Sequence, residues 1–408
     1  MLKKYKLMDL ISVTRGASLP GEYYSETGEY IRLTMGNFNY NGNGFKENTS
    51  KTDIYYTGPI REEFILKKGD IITPLTEQAI GLLGTTAMIP QSGKYIQSQD
   101  VALITCKDEK LDHLFCYYLI SSDIVKKQLS AAAQQTKIRH TSPDKIMDCT
   151  VWIPEMAVQQ RIGKALYDID KKIALNTRMS AELEAMAKQI YDYWFVQFDF
   201  PNENGKPYKS SGGKMVYNEI LKREIPKGWE VRQLKELLIL EDNRRIPLSN
   251  KERENRKGIY PYYGATGIMD YIDDYIFDGD YILLAEDGST SDDNGNPVVQ
   301  YIWGKNWVNN HAHIVHINDD SQLQYYYFLL KTIPVVLIET GSIQKKISQD
   351  NLLGYSVINP PSTIIMQYCN IASSCRENQK KIIDEVNYLT HLRDSLLPML
   401  MNGQVTVE

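Results

Sequence analysis

The sequence predicts an α+β protein whose plan is written twice: two α+β domains, each followed by one long helix, the two helices pairing as a coiled coil. Three observations lead there. Segments of the first half recur in the second at an offset of roughly 200 residues. Two stretches carry a hydrophobic seam in alternating four- and three-residue steps, sustained over more than four heptads in each. Outside those stretches lie short β-like runs such as "DIITPL", "VALITC", "YILLAE" and "HIVHI", broken by Gly, Asn and Asp turns.

The repeat places the first domain at 1–154 and the second at 226–361. "LKKGDIITPLTE" (66–77) matches "IFDGDYILLAED" (276–287): a Gly-Asp turn, an apolar strand, then an acid. "SGKYIQSQDVALITCKDEKLDHLFCYYLIS" (92–121) matches "WGKNWVNNHAHIVHINDDSQLQYYYFLLK" (303–331), each a strand, a polar turn and a Tyr- and Leu-rich helix. "HTSPDKIMDCTVWIP" (140–154) matches "KISQDNLLGYSVINP" (346–360), a strand ending in proline just before a long helical pattern.

The central helix, 155–200, carries its seam on Ile162, Leu166, Ile169, Ile173, Asn176, Ser180, Leu183, Ala187, Ile190 and Trp194. The C-terminal helix and tail, 362–408, carry theirs on Ile364, Tyr368, Ile371, Cys375, Asn378, Ile382, Glu385, Leu389, Leu392, Leu396 and Met399, with Val386 an alternative where Glu385 interrupts. Asn176 and Asn378 occupy equivalent seam positions, where a polar side chain lowers stability but fixes register. Pro154 and Pro360-Pro361 suit helix starts, with Ser362 or Thr363 as a cap. Pro201 ends the first helix; Pro398 and Gly403 end the second. "NENGKPYKSSGGK" within 201–225 reads as a mobile linker.

Composition bounds the function. A chain of 408 residues, 42% hydrophobic and 24% charged, is an ordinary multidomain globular protein. The N-terminus shows no signal-peptide core, and no apolar run is long enough to span a bilayer. Five cysteines without CxxC spacing point to reduced thiols in a cytoplasmic protein. A net charge of −5 excludes a uniformly basic surface but not local basic readers of DNA. The 28 tyrosines suit interfaces and base stacking as well as cores.

Each motif with catalytic overtones has a structural reading. "NPPS" (359–362) lacks the aromatic fourth residue of adenine methyltransferases, so strand end and helix start is the preferred reading. Asp70 with Glu77, and Asp280 with Glu286 or Asp287, lack the lysine that accompanies a nuclease centre, and a Gly-Asp turn before a strand explains them. In "HAHIVHI", His311 and His313 share one strand face and His316 the other; without a third ligand in register they read as hydrogen-bonded histidines rather than a metal site. "DGSTSDDNGN" lacks calcium-loop spacing, and the chain has no P-loop.

The junction is the most specific signal: an aromatic helix end "DYWFVQFDFP" (192–201), a Gly/Lys/Ser stretch, then "EIPKGWEV" (224–231). With the C-terminal "LRDSLLPMLMNG" (392–403), the stretch "YPYYGATGIMDYIDDYIFDGDYILLAEDG" (260–288) and the domain–helix–domain–helix order, the chain resembles the specificity subunit of type I restriction–modification systems over essentially its whole length. The resemblance implies two target recognition domains related by a pseudo-twofold axis, each reading half of a bipartite double-stranded DNA site. It implies an antiparallel pair of long helices that sets the half-site spacing and docks two modification subunits, which bind S-adenosylmethionine and methylate adenine. Two restriction subunits, using ATP and Mg2+, would complete a nuclease, leaving this chain without cofactor, metal or catalytic residue. The alternatives are a coiled-coil scaffold without sequence-specific DNA binding and, third, a free-standing DNA enzyme.

Under that resemblance the DNA-facing candidates are soft. Domain one offers Arg15, Asn37, Asn39 and Lys46. Domain two offers Arg244, Arg245, Lys251, Arg253, Arg256 and Lys257 in "NRRIPLSNKERENRKG", read as a loop. Gln135, Lys137 and Arg139, matched by Gln344, Lys345 and Lys346, stand just before the strand that leads into each long helix.

Overall fold

The computed structural model describes residues 2–407 apart from 41, 78–80, 108–109, 133–138 and 342–344. The chain forms two compact units, Met1–Arg178 with Ile382–Glu408, and Met179–Lys381. Each long helix, Met156–Tyr191 and Ser362–Met401, gives one part of its length to each unit.

In the first unit the opening strand Lys3–Lys6 runs antiparallel to the closing strand Thr150–Ile153, pairing Lys3 with Ile153 and Lys6 with Thr150. What lies between is an excursion from that pair. A four-stranded antiparallel sheet has the order Ile11–Arg15, Val101–Cys106, Ile71–Pro74, Ala87–Met88. Gly69, at φ +91°, makes the turn into Ile71–Pro74, and the Asp70 carboxylate accepts the Lys67 amide at 2.7 Å. A second sheet joins Tyr24–Ser25, Tyr55–Tyr56, Tyr30–Arg32 and Tyr95–Ile96. Helix His113–Ile120 is capped by Asp112, which accepts the Phe115 amide at 2.9 Å. The helix joins a core shared with Ile162 and Leu166 of the central helix and Leu400 and Met401 of the C-terminal one.

The second unit repeats this. Glu230–Gln233 pairs antiparallel with Ser356–Asn359. The first sheet runs Ile239–Leu240, Ala312–His316, Tyr281–Ala285, Val299–Ile302, and the second runs Ile268–Ile272, Lys257–Tyr263, Lys305–Val308, Phe277–Asp278. In both units the second sheet holds a parallel pair, Tyr30–Arg32 with Tyr95–Ile96 and Lys257–Tyr263 with Lys305–Val308. Ser142 and Ser348 cap the short helices that precede the closing strands.

The long helices pair antiparallel in each unit. In the first, Arg393 donates to Asp170 at 2.9 Å and Asn176 donates to Glu385 at 2.7 Å. In the second, Gln379 donates to the Ser180 carbonyl at 3.1 Å and Tyr368 donates to the Ala187 carbonyl at 3.1 Å. Ile162, Leu166, Asn176, Ser180, Ala187 and Trp194 are buried; Ile169, Ile173, Leu183 and Ile190 are half-buried.

The C-terminal seam differs from expectation. Tyr368 is buried, and Ile364, Cys375, Ile382, Leu389, Leu392, Leu396 and Met399 are half-buried, but Ile371 and Asn378 are exposed. The inward face instead carries Ala372, Arg376, Gln379, Val386 and Arg393. Hydrophobicity alone points one residue away because the buried positions are polar groups with partners. Arg376 donates to Gln324 at 3.3 Å and lies 4.3 Å over the Tyr301 ring. Asn176 accordingly meets Glu385, not Asn378. Pro361 rather than Ser362 or Thr363 stands at the helix start, its carbonyl accepting the Ile364 and Ile365 amides. Pro398 lies inside the helix, which ends at Met401, with Gly403 at φ +67°.

The segment 201–225 is folded, not a mobile linker. A π-helical turn, Asp192–Val196, and Phe198 at φ +65° end the central helix before Pro201. Phe200 stacks between Tyr208 at 4.6 Å and Trp229 at 5.0 Å. Asp199 accepts the Ser210 amide at 2.7 Å and hydroxyl at 2.6 Å. A hairpin, Met215–Asn218 with Arg223–Pro226, completes it. The glycine-rich composition serves these turns: a Cβ on Gly213 would meet the Tyr208 ring at 2.4 Å.

Glu184, on the central helix, ties the second unit's helix pair to its domain. It accepts from Tyr327 at 2.6 Å and Lys331 at 2.8 Å. Burial alone would raise its carboxyl, but Lys331 and Tyr327 outweigh it and hold the group down to about 2. A depressed carboxyl stabilises above its ordinary value of 4.5, and that stabilisation is lost as pH falls toward about 2. Urea melts of Glu184→Gln should therefore flatten the loss of stability between those pH values by about 2–3 kcal/mol relative to the parent chain.

Candidate nucleic-acid interface

Several arginines read as DNA-facing pair with carboxylates distant in sequence. Arg139 lies 3.1 Å from Glu77, whose carboxylate is fully buried and also accepts the Leu82 and Leu83 amides at 2.7 and 2.9 Å. Arg245 lies 2.7 Å from Glu286 and 3.3 Å from Asp242, and donates to the Ala312 carbonyl at 2.7 Å. Arg253 donates to the Leu248 carbonyl at 2.8 Å, with its guanidinium 5.2 Å over the Tyr262 ring. Asn37 is buried, accepting the Thr34 amide at 2.8 Å and donating to the Lys46 carbonyl at 3.2 Å. All four make contacts within their own domain.

The other basic candidates lie nearer the surface, most of them with partners. Arg15 donates to the Gln99 carbonyl at 2.9 Å. Arg244 pairs with Glu241 and lies 4.6 Å over Phe277. Arg256 pairs with Asp273 at 2.9 Å, Lys257 with Asp270 at 2.7 Å, Lys345 with Glu339 at 2.8 Å and Lys346 with Glu286 at 2.9 Å. Asn39, Lys46 and Lys251 are exposed. The stretch holding Lys251 is not all loop: Asn250–Asn255 is a short helix capped by Ser249, because "SNKE" supplies a capping box. Gln135, Lys137 and Gln344 lie outside the described residues.

The first domain also holds a cleft of about 410 Å³. Its lining mixes polar side chains, among them Arg32, Asn48, Ser50 and Gln99, with the apolar Leu19, Leu33 and Met35 and the acid Asp100. Arg32 sits 3.7 Å beneath the Tyr24 ring and donates to the Asp53 carbonyl at 2.9 Å. Four separate segments build the cleft, so no local motif announces it. Lys51 is exposed at its edge.

The acidic groups weighed as catalytic have structural partners. Asp280 accepts from Tyr301 at 2.6 Å and Lys380 at 2.5 Å. His311 meets Asp287 at 2.7 Å, and His316 lies 3.9 Å from Asp320. Among the described residues, Asp242, Glu286 and His313 bring ligand atoms within 4.8 Å of one another. Arg245 bridges the two carboxylates and Lys346 adds a second cation, so protein charges already stand where a metal ion would. No helix among the described residues is long and apolar enough to cross a membrane.

One α+β fold built twice on paired helices defines a duplicated two-domain architecture. A model of the type I restriction modification DNA specificity domain matches residues 2–185 and 226–392, and the chain belongs to that family. It is 24% identical over 319 residues to the type I restriction enzyme MjaIX specificity subunit of Methanocaldococcus jannaschii, covering 72% of this chain and 69% of that protein. It is 30% identical over 152 residues to a protein of Haemophilus influenzae bearing a type I restriction enzyme specificity subunit name, covering 37% of this chain and 38% of that protein. The S subunit of a type I restriction–modification system from M. genitalium shares the fold, with a TM-score of 0.60 and 16% identity, over 98% of this chain and 96% of its own.

Truncating Glu77 to alanine should strand the Arg139 charge and destabilise the first domain by on the order of 3 kcal/mol, read as a lowered urea midpoint. Lys46→Ala should leave that midpoint unchanged within about 0.5 kcal/mol.

Proposed function

We propose that this chain is the sequence-reading subunit of a type I restriction–modification complex, each domain reading one half of a bipartite DNA site. The supporting observation is one fold repeated, each copy closed by its own first and last strands and followed directly by a long helix. Modification subunits supply S-adenosylmethionine and adenine methylation, two per chain; two restriction subunits supply ATP- and Mg2+-dependent cleavage. Exposed apolar side chains on the helices, Leu175 and Tyr388 in the first unit and Met179, Met186 and Ile371 in the second, suit docking of a partner's helices.

The charge pattern also bears on this reading. Because most of the basic side chains read as DNA-facing meet carboxylates of the same chain, phosphate attraction by these residues alone is weakened, and tight binding draws on partners. The isolated chain should bind DNA with a shallow salt dependence that steepens in the complex with modification subunits, measured as log Kd against log salt. An equally steep slope for the chain alone would contradict it.

A domain exchange tests the modular reading. Replacing residues 1–154 with a relative's domain should change one half of the methylated sequence and leave the other intact, read by sequencing modified bases. A change in both halves would refute it, and sequence-independent binding throughout would favour a scaffold.

A further inference from the structure

Cys106 ends strand Val101–Cys106, beyond Ile104, the last residue of that strand to pair with Ile71–Pro74. It is half-buried and packs against the first domain's core. Cys116 lies within that core on helix His113–Ile120 and is fully buried. His113 opens the same helix, is exposed to solvent, and has its Nε2 2.9 Å from the Gly69 carbonyl oxygen. Cys106 stands in hydrogen-bonding contact with both the Cys116 thiol and the His113 ring.

A carbonyl only accepts, so Nε2 carries the ring's hydrogen toward Gly69. In the neutral ring the lone pair is then on Nδ1, the nitrogen left for Cys106. The proton therefore has one way to travel, from thiol to ring, and the Cys116 S–H donates to the thiolate left behind. The hydrogen bond from Cys116, and then that from His113, hold the Cys106 thiol well below the usual range despite its burial. The same contact with Cys106 lifts the His113 imidazole. Contact with Cys106 and burial push the Cys116 thiol well up, so it keeps its proton. Asp112 is the other charged group facing the three; it opposes the thiolate, but its carboxylate also accepts the Phe115 amide at 2.9 Å.

We propose that Cys106 is a hydroperoxide-reactive thiol, with His113 as its base and Cys116 as the thiol that closes a disulfide onto it. The Cys106 sulfur attacks a peroxide oxygen, the O–O bond breaks, and the departing oxygen takes the proton held by His113. Sulfur is oxidised to the sulfenic acid and the peroxide is reduced. The Cys116 sulfur then attacks Cys106, an S–S bond forms, the S–O bond breaks, and water leaves with the Cys116 proton. Two thiols and hydrogen peroxide thus give a disulfide and two waters.

The other thiols lack this arrangement. Burial pushes Cys149 up to about 11 and Cys369 up to about 12. The matching helix of the second domain, Leu323–Leu330, carries neither cysteine nor histidine. The chemistry stands whether or not the chain reads DNA.

The full chain, reduced and then treated with hydrogen peroxide near neutral pH, should be mapped by mass spectrometry without reductant. The expected product is a Cys106–Cys116 disulfide that dithiothreitol reverses, with Cys106 reacting about tenfold faster than Cys375, the other cysteine that is only partly buried. In Cys116→Ser, a 1,3-dione probe should trap the sulfenic acid at Cys106, and no disulfide should form. The pH profile of Cys106 alkylation by iodoacetamide should lie below that of an ordinary thiol, about 8.5, and His113→Gln should move it upward. Equal oxidation of Cys375, or a Cys106 that never pairs with Cys116, would overturn the proposal. So would an alkylation profile unmoved in His113→Gln, or stoichiometric zinc that the parent chain retains and Cys106→Ser loses, which would make the cluster a metal site. The mapping needs no variant, so it decides the matter even if a substituted chain fails to fold.

Discussion

The pairing of first with last strand in each domain is the constraint on which the rest depends. Lys3–Lys6 beside Thr150–Ile153, and Glu230–Gln233 beside Ser356–Asn359, bring the ends of each domain into one two-stranded ladder. A ladder of four residue pairs is weak alone. Here it closes a loop of well over 100 residues whose core is already formed, so its hydrogen bonds settle where the chain leaves the domain rather than whether it folds. The long helix starts just beyond each closing strand, at Met156 and at Ser362. Loops between the paired ends can therefore change without altering the helix entry point, a property that suits a module with interchangeable binding surfaces.

Hydrogen-bonded polar groups punctuate the seam between the long helices. In the first unit Arg393 reaches Asp170, which also accepts from Tyr118 at 2.5 Å. In the second, Gln379 donates to Glu184 at 3.3 Å as well as to Ser180. Apolar side chains would tolerate a slip of one turn, since one branched residue replaces another at modest cost. A slip here would leave Arg393 or Gln379 buried without a partner, at several kcal/mol for the charge. Register is thus held by groups that contribute little net stability in place and cost much when displaced.

These polar groups also explain what the sequence could and could not disclose. The central helix was legible because its inward positions are mostly apolar and recur at 3.5-residue spacing. The C-terminal helix was legible as a helix, but its inward face was read one position off, since Arg376, Gln379 and Arg393 score as surface residues until Gln324, Ser180 and Asp170 are known. Segment 201–225 looked unstructured by composition, yet Phe200, Tyr208 and Trp229 form a stack joining residues far apart in sequence. The repeat itself was visible because Gly-Asp turns and Ser caps are local chemistry. The cleft around Arg32 was not, because only tertiary structure assembles it.

The inward placement of charge narrows how DNA is read. Arg139, Arg245 and Arg253 look from sequence like phosphate contacts, and each also makes a polar contact within its own domain. Toward solvent the candidates Asn39, Lys46 and Lys251 are exposed, and the first domain's cleft adds Asn48, Ser50, Lys51 and Gln99. Neutral donors and acceptors discriminate base edges through short-range geometry and attract the duplex weakly from a distance. On the proposed function, a subunit so built would take its specificity from short-range contacts and leave the long-range attraction to other chains. That division of labour is consistent with a net charge of −5 on a chain from a DNA specificity family.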